Sequence, residues 1–195
     1  VRSGDTALWL AREWIEGVSL LDLYPIDGPP PNTPTIVRLL RDCLAVCAAL
    51  SALHAMKLQH LRLTPEHIVY QRRLSGQRDR GIVLLDSADV PGTAAESSDN
   101  FQAPEQLRSG KASIAYGPET DVYRFGAILY YLVAHVLPNP IFHHPVPLAS
   151  THNSAVPRIL DEILARSLAV KSNDRYRQVD DLARELRYVF DKLRG

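Results

Sequence analysis

Few side chains in this sequence have the type and spacing for chemistry of their own. Cys43 and Cys47 are the only cysteines, four apart in a segment with helical periodicity. One helical turn is poor geometry for a disulfide, so the expectation is two buried free thiols in a reducing compartment. Two cysteines without suitably spaced histidines make no zinc site. His143 and His144 carry ligand nitrogens, but they sit side by side in a proline-flanked loop, where such a pair is ordinarily incidental. Arg72, Arg73, Arg78 and Arg80 form a short basic run, which reads as solvated loop surface.

The chain around these residues has the composition of a globular domain. Its 195 residues are 46% hydrophobic and 23% charged, with room for one sizeable core. Twenty-two basic against 22 acidic residues give a formal net charge of zero, which speaks against a broad electrostatic grip on nucleic acid or anionic membrane. No apolar run approaches the ~20 residues that span a bilayer, and the opening Val1-Arg2-Ser3-Gly4-Asp5 is not a signal peptide. The expectation is a cytoplasmic protein.

The periodicities predict a mainly helical fold. Residues 6–15, rich in Trp and aliphatic side chains, read as a strand stopped by Gly17, and residues 20–23 as a short helical turn. Residues 27–34 hold four prolines and read as a loop; Thr33 before Pro34 then starts a long buried helix over 35–57. Its stripe is Val37, Leu40, Leu44, Cys47 and Leu50. Two apolar runs, 67–70 and 82–85, are spaced to pair as a hairpin, and 87–100 reads as a mobile loop. A second buried helix is expected over 120–135, with polar positions only at its start and end. A proline-containing loop follows over 137–155, then amphipathic helices over 157–170 and 179–193.

The order of several short motifs sharpens this outline. Residues Leu10 to Leu20 (Leu-Ala-Arg-Glu-Trp-Ile-Glu-Gly-Val-Ser-Leu) resemble the last N-lobe strand and hinge of protein kinases. Ala52-Leu53-His54 resembles the end of the long helix before a kinase catalytic loop. His60-Leu61-Arg62-Leu63-Thr64-Pro65-Glu66-His67-Ile68 stands in the place of His-Arg-Asp-Leu-Lys-Pro-Glu-Asn-Ile, and Leu84-Leu85-Asp86-Ser87-Ala88 in that of the Asp-Phe-Gly segment. Ala103-Pro104-Glu105, Thr120-Asp121-Val122-Tyr123-Arg124-Phe125-Gly126 and Asp174-Arg175-Tyr176 complete the series. The whole chain, 1–195, resembles the C-terminal lobe of a degenerate Ser/Thr kinase domain. The resemblance implies a mainly α fold with a few short hairpin strands and an N-lobe absent or reduced to one strand. It divides the chain into the last N-lobe strand and hinge (1–19), the long buried helix (35–57), a degenerate catalytic loop and activation segment (58–105) and a helical subdomain (119–195).

The resemblance also implies which chemistry has been lost. The family's catalytic aspartate, which accepts the substrate hydroxyl proton, is Arg62, and a guanidinium cannot act as a base near neutral pH. The lysine that contacts the transferring phosphate is Thr64. The magnesium-binding asparagine is His67, where a hard cation prefers oxygen. Asp86 alone keeps a carboxylate, a poor magnesium site by itself. The Gly-rich loop, the strand lysine and its glutamate partner have no counterpart. In the hinge remnant, Glu13 and Trp14 are preceded by Arg12 at the position that borders an adenine, which it would obstruct. No catalytic residue, cofactor or metal is therefore expected. His60-Leu61 lacks the arginine that reads a phosphorylated activation loop, so Ser97 and Ser98 are unpromising switches.

The implied scaffold is better kept. Glu105 is expected to pair with Arg175, and Asp121 to accept backbone hydrogen bonds from the loop around His60 and Leu61. The implied function is a catalytically inactive kinase-like domain that binds protein. The alternatives are a piece of a Ser/Thr kinase whose ATP-binding lobe lies outside the chain, and a nucleotide sensor without turnover. A protein partner or adjoining domain is expected over the exposed strand edge at 6–14.

Overall fold

In the computed structural model the described residues are 13–71, 81–85, 100–107, 116–138 and 145–195. Glu13 to Glu16 are irregular, and the first strand, β1 (Gly17–Ser19), begins at the glycine expected to end one. The reason is close approach. A Cβ on Gly17 would lie 2.3 Å from the carbonyl oxygen of Tyr70 and 2.5 Å from Cγ1 of Val69, so only glycine fits against the neighbouring strand here. Of the expected strand at 6–15, residues 6–12 lie outside the described residues.

Ser19 ends β1 and caps the four-residue helix α1 (Leu20–Leu23) through a capping box with Asp22. Helix α2 (Thr33–Ala55) has its cap one residue before the expected Thr33. Asn32 is the N-cap, its side chain accepting from Thr35 N at 3.1 Å, and Pro34 sits where no intrahelical N–H is needed. The buried stripe of α2 is Ile36, Leu39, Leu40, Cys43, Val46, Cys47 and Leu50. Val37 and Leu44 are only half-buried, so the inward face lies one residue earlier than the predicted stripe. Cys43 and Cys47 are free thiols, their ionisation disfavoured chiefly by burial.

Helix α2 ends without glycine. Lys57 takes a left-handed conformation (φ 62°), donating to His54 O, while Leu58 N donates to Leu53 O. These two bonds make the paired C-terminal cap that turns the chain sharply into the loop at 58–67. After a 3-10 turn at Pro65–His67, β2 (Ile68–Gln71) and β3 (Ile82–Leu84) pair antiparallel, as their two apolar runs predict. β1 adds to the other side of β2, so the small sheet has order β1-β2-β3.

A four-residue helix, α3 (Pro104–Leu107), was not anticipated from the sequence. Helix α4 (Pro118–Ala134) begins two residues before the expected start and is buried along nearly all its length, as a helix apolar on every side requires. It runs between the other helices. Gly126 permits its approach to α5 (Arg158–Ser167), since a Cβ there would meet Cβ of Ser167 at 2.6 Å. The last helix, α6 (Val179–Arg194), lays Val179, Leu182, Leu186, Val189 and Phe190 into the core along α2. Only a 3-10 turn at Ala149–Thr151 interrupts the predicted loop between α4 and α5 among the described residues. No helix among the described residues is long and apolar enough to cross a membrane.

Candidate functional site

The loop at 58–67 lies between the end of α2 and β2, and α4 holds it from below. Asp121, in the first turn of α4 and fully buried, accepts from His60 N (Oδ2, 2.7 Å) and Leu61 N (Oδ1, 2.7 Å). His54 Nε2 lies 2.9 Å from Oδ2. A carboxylate only accepts, so His54 is the donor. Three donors thus share two carboxylate oxygens, which is what makes a fully buried carboxylate tolerable. His54 ends the motif quoted from α2, but its bond to Asp121 was not foreseen.

Leu61 is held in a left-handed conformation (φ 60°), which costs a non-glycine residue roughly 1–3 kcal/mol unless the surroundings enforce it. Here its N–H goes to Asp121 and its carbonyl accepts from Gln106 Nε2 at 2.8 Å. Gln106 Oε1 in turn accepts from Ala103 N and from Arg124, whose Nε donates to Leu63 O at 3.2 Å. Arg124 is only 1% exposed, in the second turn of a helix expected to have polar positions only at its start and end. An arginine inside an otherwise apolar run was the available signal, and sequence reasoning passed over it.

A second polar cluster ties α3 to the late helices. Arg175 NH1 and NH2 donate to the two oxygens of Glu105 at 2.7 and 2.8 Å. Its remaining donors reach the carbonyls of Glu119, Val170 and Ala169, the last through Nε at 2.7 Å. All five guanidinium N–H groups are therefore used, and the group also lies 4.7 Å from the ring centroid of Tyr123. Burial pushes the Glu105 carboxyl up, but hydrogen bonding and charge from Arg175, with Thr120 Oγ1 donating at 2.9 Å, outweigh it and hold it below the ordinary value.

The positions that would carry chemistry lie on the same loop. Leu63 is fully buried in the core. Arg62 on one side of it is half-buried, and Thr64 on the other is 9% exposed with an extended backbone (φ −135°, ψ 165°). Arg62 N donates to His60 O (2.8 Å), and its carbonyl accepts from His67 Nδ1 (2.7 Å), so the backbone at 62 is fixed on both sides. Its side chain is not. The buried Nε of Arg62 meets no acceptor among the described residues, and no described carboxylate forms an ion pair with it.

His60 is 1% exposed, and neither ring nitrogen reaches hydrogen-bond geometry with a described partner. Burial pushes its pKa down to about 4, opposed by the Asp121 carboxylate and assisted by the charges of His67 and Arg124. The Leu85 backbone lies close enough to favour the proton only slightly. The imidazole is neutral at physiological pH. Its ring lies 6.4 Å from that of His67.

Among the described residues no group of three His, Cys, Asp or Glu side chains is placed to hold a metal ion. Asp86 and Arg12 lie outside the described residues, as do Ser97, Ser98, His143, His144 and the arginines at 72–80. Glu13 and Trp14 are described and exposed, Trp14 at 88%.

No protein-family model matches the sequence. Among curated proteins the chain is similar to the serine/threonine-protein kinase Pkn1 of Myxococcus xanthus, with 30% identity over 191 residues, covering 88% of this chain and 26% of Pkn1. It is also similar to PknB of Mycobacterium leprae, with 25% identity covering 91% of this chain and 30% of PknB. The chain thus spans less than a third of the length of these relatives. Among solved structures, a variant of the Mycobacterium tuberculosis PknI kinase domain superposes with a TM-score of 0.67 at 19% identity, over 94% of this chain and 64% of that one. The unsubstituted PknI kinase domain gives 0.65 at 23% identity, over 90% and 64%. The solved domains speak for the fold and the relatives for the ancestry: this chain belongs to the protein-kinase superfamily and has the fold of its C-terminal lobe.

Proposed function

We propose that this chain is the C-terminal-lobe part of a Ser/Thr-kinase-type domain that does not transfer phosphate and works by binding protein. The observation that carries the reading is Arg62, a permanently charged, half-buried guanidinium in the loop where the family places its base. Thr64 and His67 add to it, since neither supplies the lysine charge nor the asparagine oxygen of the family motif. The polar networks around Asp121 and Arg175 need no nucleotide and would suit a binding module equally well. A phosphotransfer assay with magnesium and with manganese, using the full-length protein, tests this reading. Turnover by the purified protein that Asp86→Ala abolishes would overturn it.

A second reading has specific support. The similar curated proteins are named as serine/threonine-protein kinases, which favours a piece of a kinase domain whose ATP-binding lobe lies outside this chain. The full reading frame, searched for a Gly-rich strand-turn-strand and a strand lysine, tests it, and an Arg62→Asp variant that gains phosphotransfer in the complete protein would favour it. A nucleotide sensor without turnover predicts a thermal shift with ATP. A partner over residues 6–14 is also proposed, resting on exposed Trp14 and on β1 as a sheet edge among the described residues. Hydrogen exchange that is equally fast at 6–14 with and without the native partner would count against it.

A further inference from the structure

Helix α2 is apolar on more sides than the core covers. From Cys43 to Leu53 it carries no charged residue, and a helix apolar all round is ordinarily covered all round. Yet Ala45, Ala48, Ala52 and Ala55 are exposed, and Met56 beyond them is 63% exposed. Between this face and α6 runs a groove of about 450 Å³, lined by Leu44, Ala48 and Ala183 together with the exposed side chains of Asp180, Arg184 and Arg187. The two helices run antiparallel along it. Ser51, late in α2, donates to Asp180, early in α6, at 3.1 Å, while Leu44 shares the groove with Arg187. The midpoint between these two contacts falls beside Ala48 on α2 and Ala183 on α6.

The charges along the groove are polarised. The first turn of α6 holds Asp180 and Asp181, and its last turn Lys192 and Arg194. Arg184 neutralises Asp181 locally, which leaves Asp180 and Arg187 as the opposite poles of the groove. Arg187 contacts the Phe190 ring but forms no ion pair with a described carboxylate. Arg41, one turn before Leu44, lies towards the basic end, its guanidinium shared with Asp42. A uniformly acidic or uniformly basic helix laid here would meet its own sign at one end. A second copy turned end for end meets the opposite sign at both, and a chain of zero net charge does not repel itself at long range. We propose that the α2–α6 groove is a self-complementary surface that joins two copies of this chain about a two-fold axis. The axis crosses the groove beside Ala48 and Ala183, perpendicular to the helices, so that Asp180 of each copy faces Arg187 of the other. Alanines at the crossing let the second helix approach closely, and Leu44 supplies apolar contact on either side. This names a partner that the inactive-domain reading leaves open, and it does not depend on whether phosphate is transferred.

The test is sedimentation velocity on the full chain over a range of concentrations, where a reversible dimer is expected. Ala48→Glu places unpaired carboxylates at the crossing and should weaken the dimer about tenfold or more, with the far-UV circular dichroism unchanged because Ala48 is exposed. Asp180→Arg and Arg187→Asp each bring like charges together, so each variant alone should also dimerise about tenfold more weakly. Mixed, these two variants should pair with each other, since each then carries the charges the other lacks. Lys171→Ala, an exposed charge outside the groove, should change nothing. A monomer at every concentration, a dimer indifferent to Ala48→Glu, or charge variants that stay apart when mixed would overturn the proposal. So would a monomer that binds an acidic amphipathic peptide and loses it on Ala48→Glu, which would assign the groove to a different protein. Phosphotransfer is measured separately, so failure of this proposal and failure of the inactive-domain reading are distinguishable.

Discussion

Arg175 and Arg62 carry the same guanidinium into opposite circumstances. Arg175 is 1% exposed, has an acceptor for each of its five N–H groups and neutralises Glu105 with two parallel bonds. Arg62 is half-buried, and its Nε–H meets no acceptor among the described residues. The surroundings differ in the same way. Around Asp121, Arg124 and Arg175, carboxylates, carbonyls and an amide are matched donor for donor. At 62 the backbone is matched on both sides, while the side-chain Nε–H has no acceptor among the described residues. Polar satisfaction therefore separates the cluster around Arg175, which holds the fold together, from position 62, which does not depend on such partners.

Changes on the satisfied side should cost most. Arg175→Ala leaves a partly buried carboxylate and three carbonyls without their donor, and a loss of about 3–5 kcal/mol is expected in denaturant unfolding. Arg175→Lys keeps the charge but has three donors in place of five, so it should recover only a minor part. A loss below ~1 kcal/mol for the alanine variant would break the contrast. Asp121→Ala comes next, at about 3 kcal/mol, because the amides of His60 and Leu61 and the ring of His54 lose a shared acceptor. Amide exchange at His60 and Leu61 should accelerate with it, and unchanged protection there would remove Asp121 from the scaffold.

The pH dependence should be smaller and opposite in origin. The folded value of His60, about 4, lies below the ordinary 6.5, so the unfolded chain holds more protons between these limits. Its contribution is complete above pH 6.5 and is lost as the pH falls towards 4, by roughly 2–3 kcal/mol at most. Glu105 adds a further loss as pH falls through its depressed value. His60→Phe should flatten the upper part of the curve. An unchanged slope in that variant would remove His60 as its source. The smallest effect is expected at the unsatisfied arginine: Arg62→Ala should alter stability by no more than about 0.5 kcal/mol. A loss above ~2 kcal/mol would place Arg62 with the scaffold after all.

Several elements were legible because they depend on local periodicity. The stripe of α6, the hairpin of β2 and β3, and the proline-punctuated start of α2 follow from side-chain spacing and backbone restriction, which act within a few residues. The inward face of α2 was legible only approximately, since the apolar residues of that helix cover more than one face and packing against α6 selected among them. The strand β1 at 17–19 was not foreseen, because a glycine stops a strand in isolation but permits one where another backbone comes close. In the candidate site, residues 62, 64 and 67 were singled out by motif order. The roles of His54, Gln106 and Arg124 were not, because each acts on a residue distant in sequence.

Sequence alone determined the residue types at the loop: an arginine that cannot be a base at 62, a threonine at 64 and a histidine at 67, whatever surrounds them. It also determined the family, through the order of its motifs. What the tertiary structure decided was how each charge is spent or spared. Ion pairing and desolvation depend on atoms within a few ångströms, and those atoms come from residues 60 to 70 positions away for Asp121 with His60 and for Arg175 with Glu105. Two arginines that read alike as letters became a buried strut and a half-buried cation for that reason.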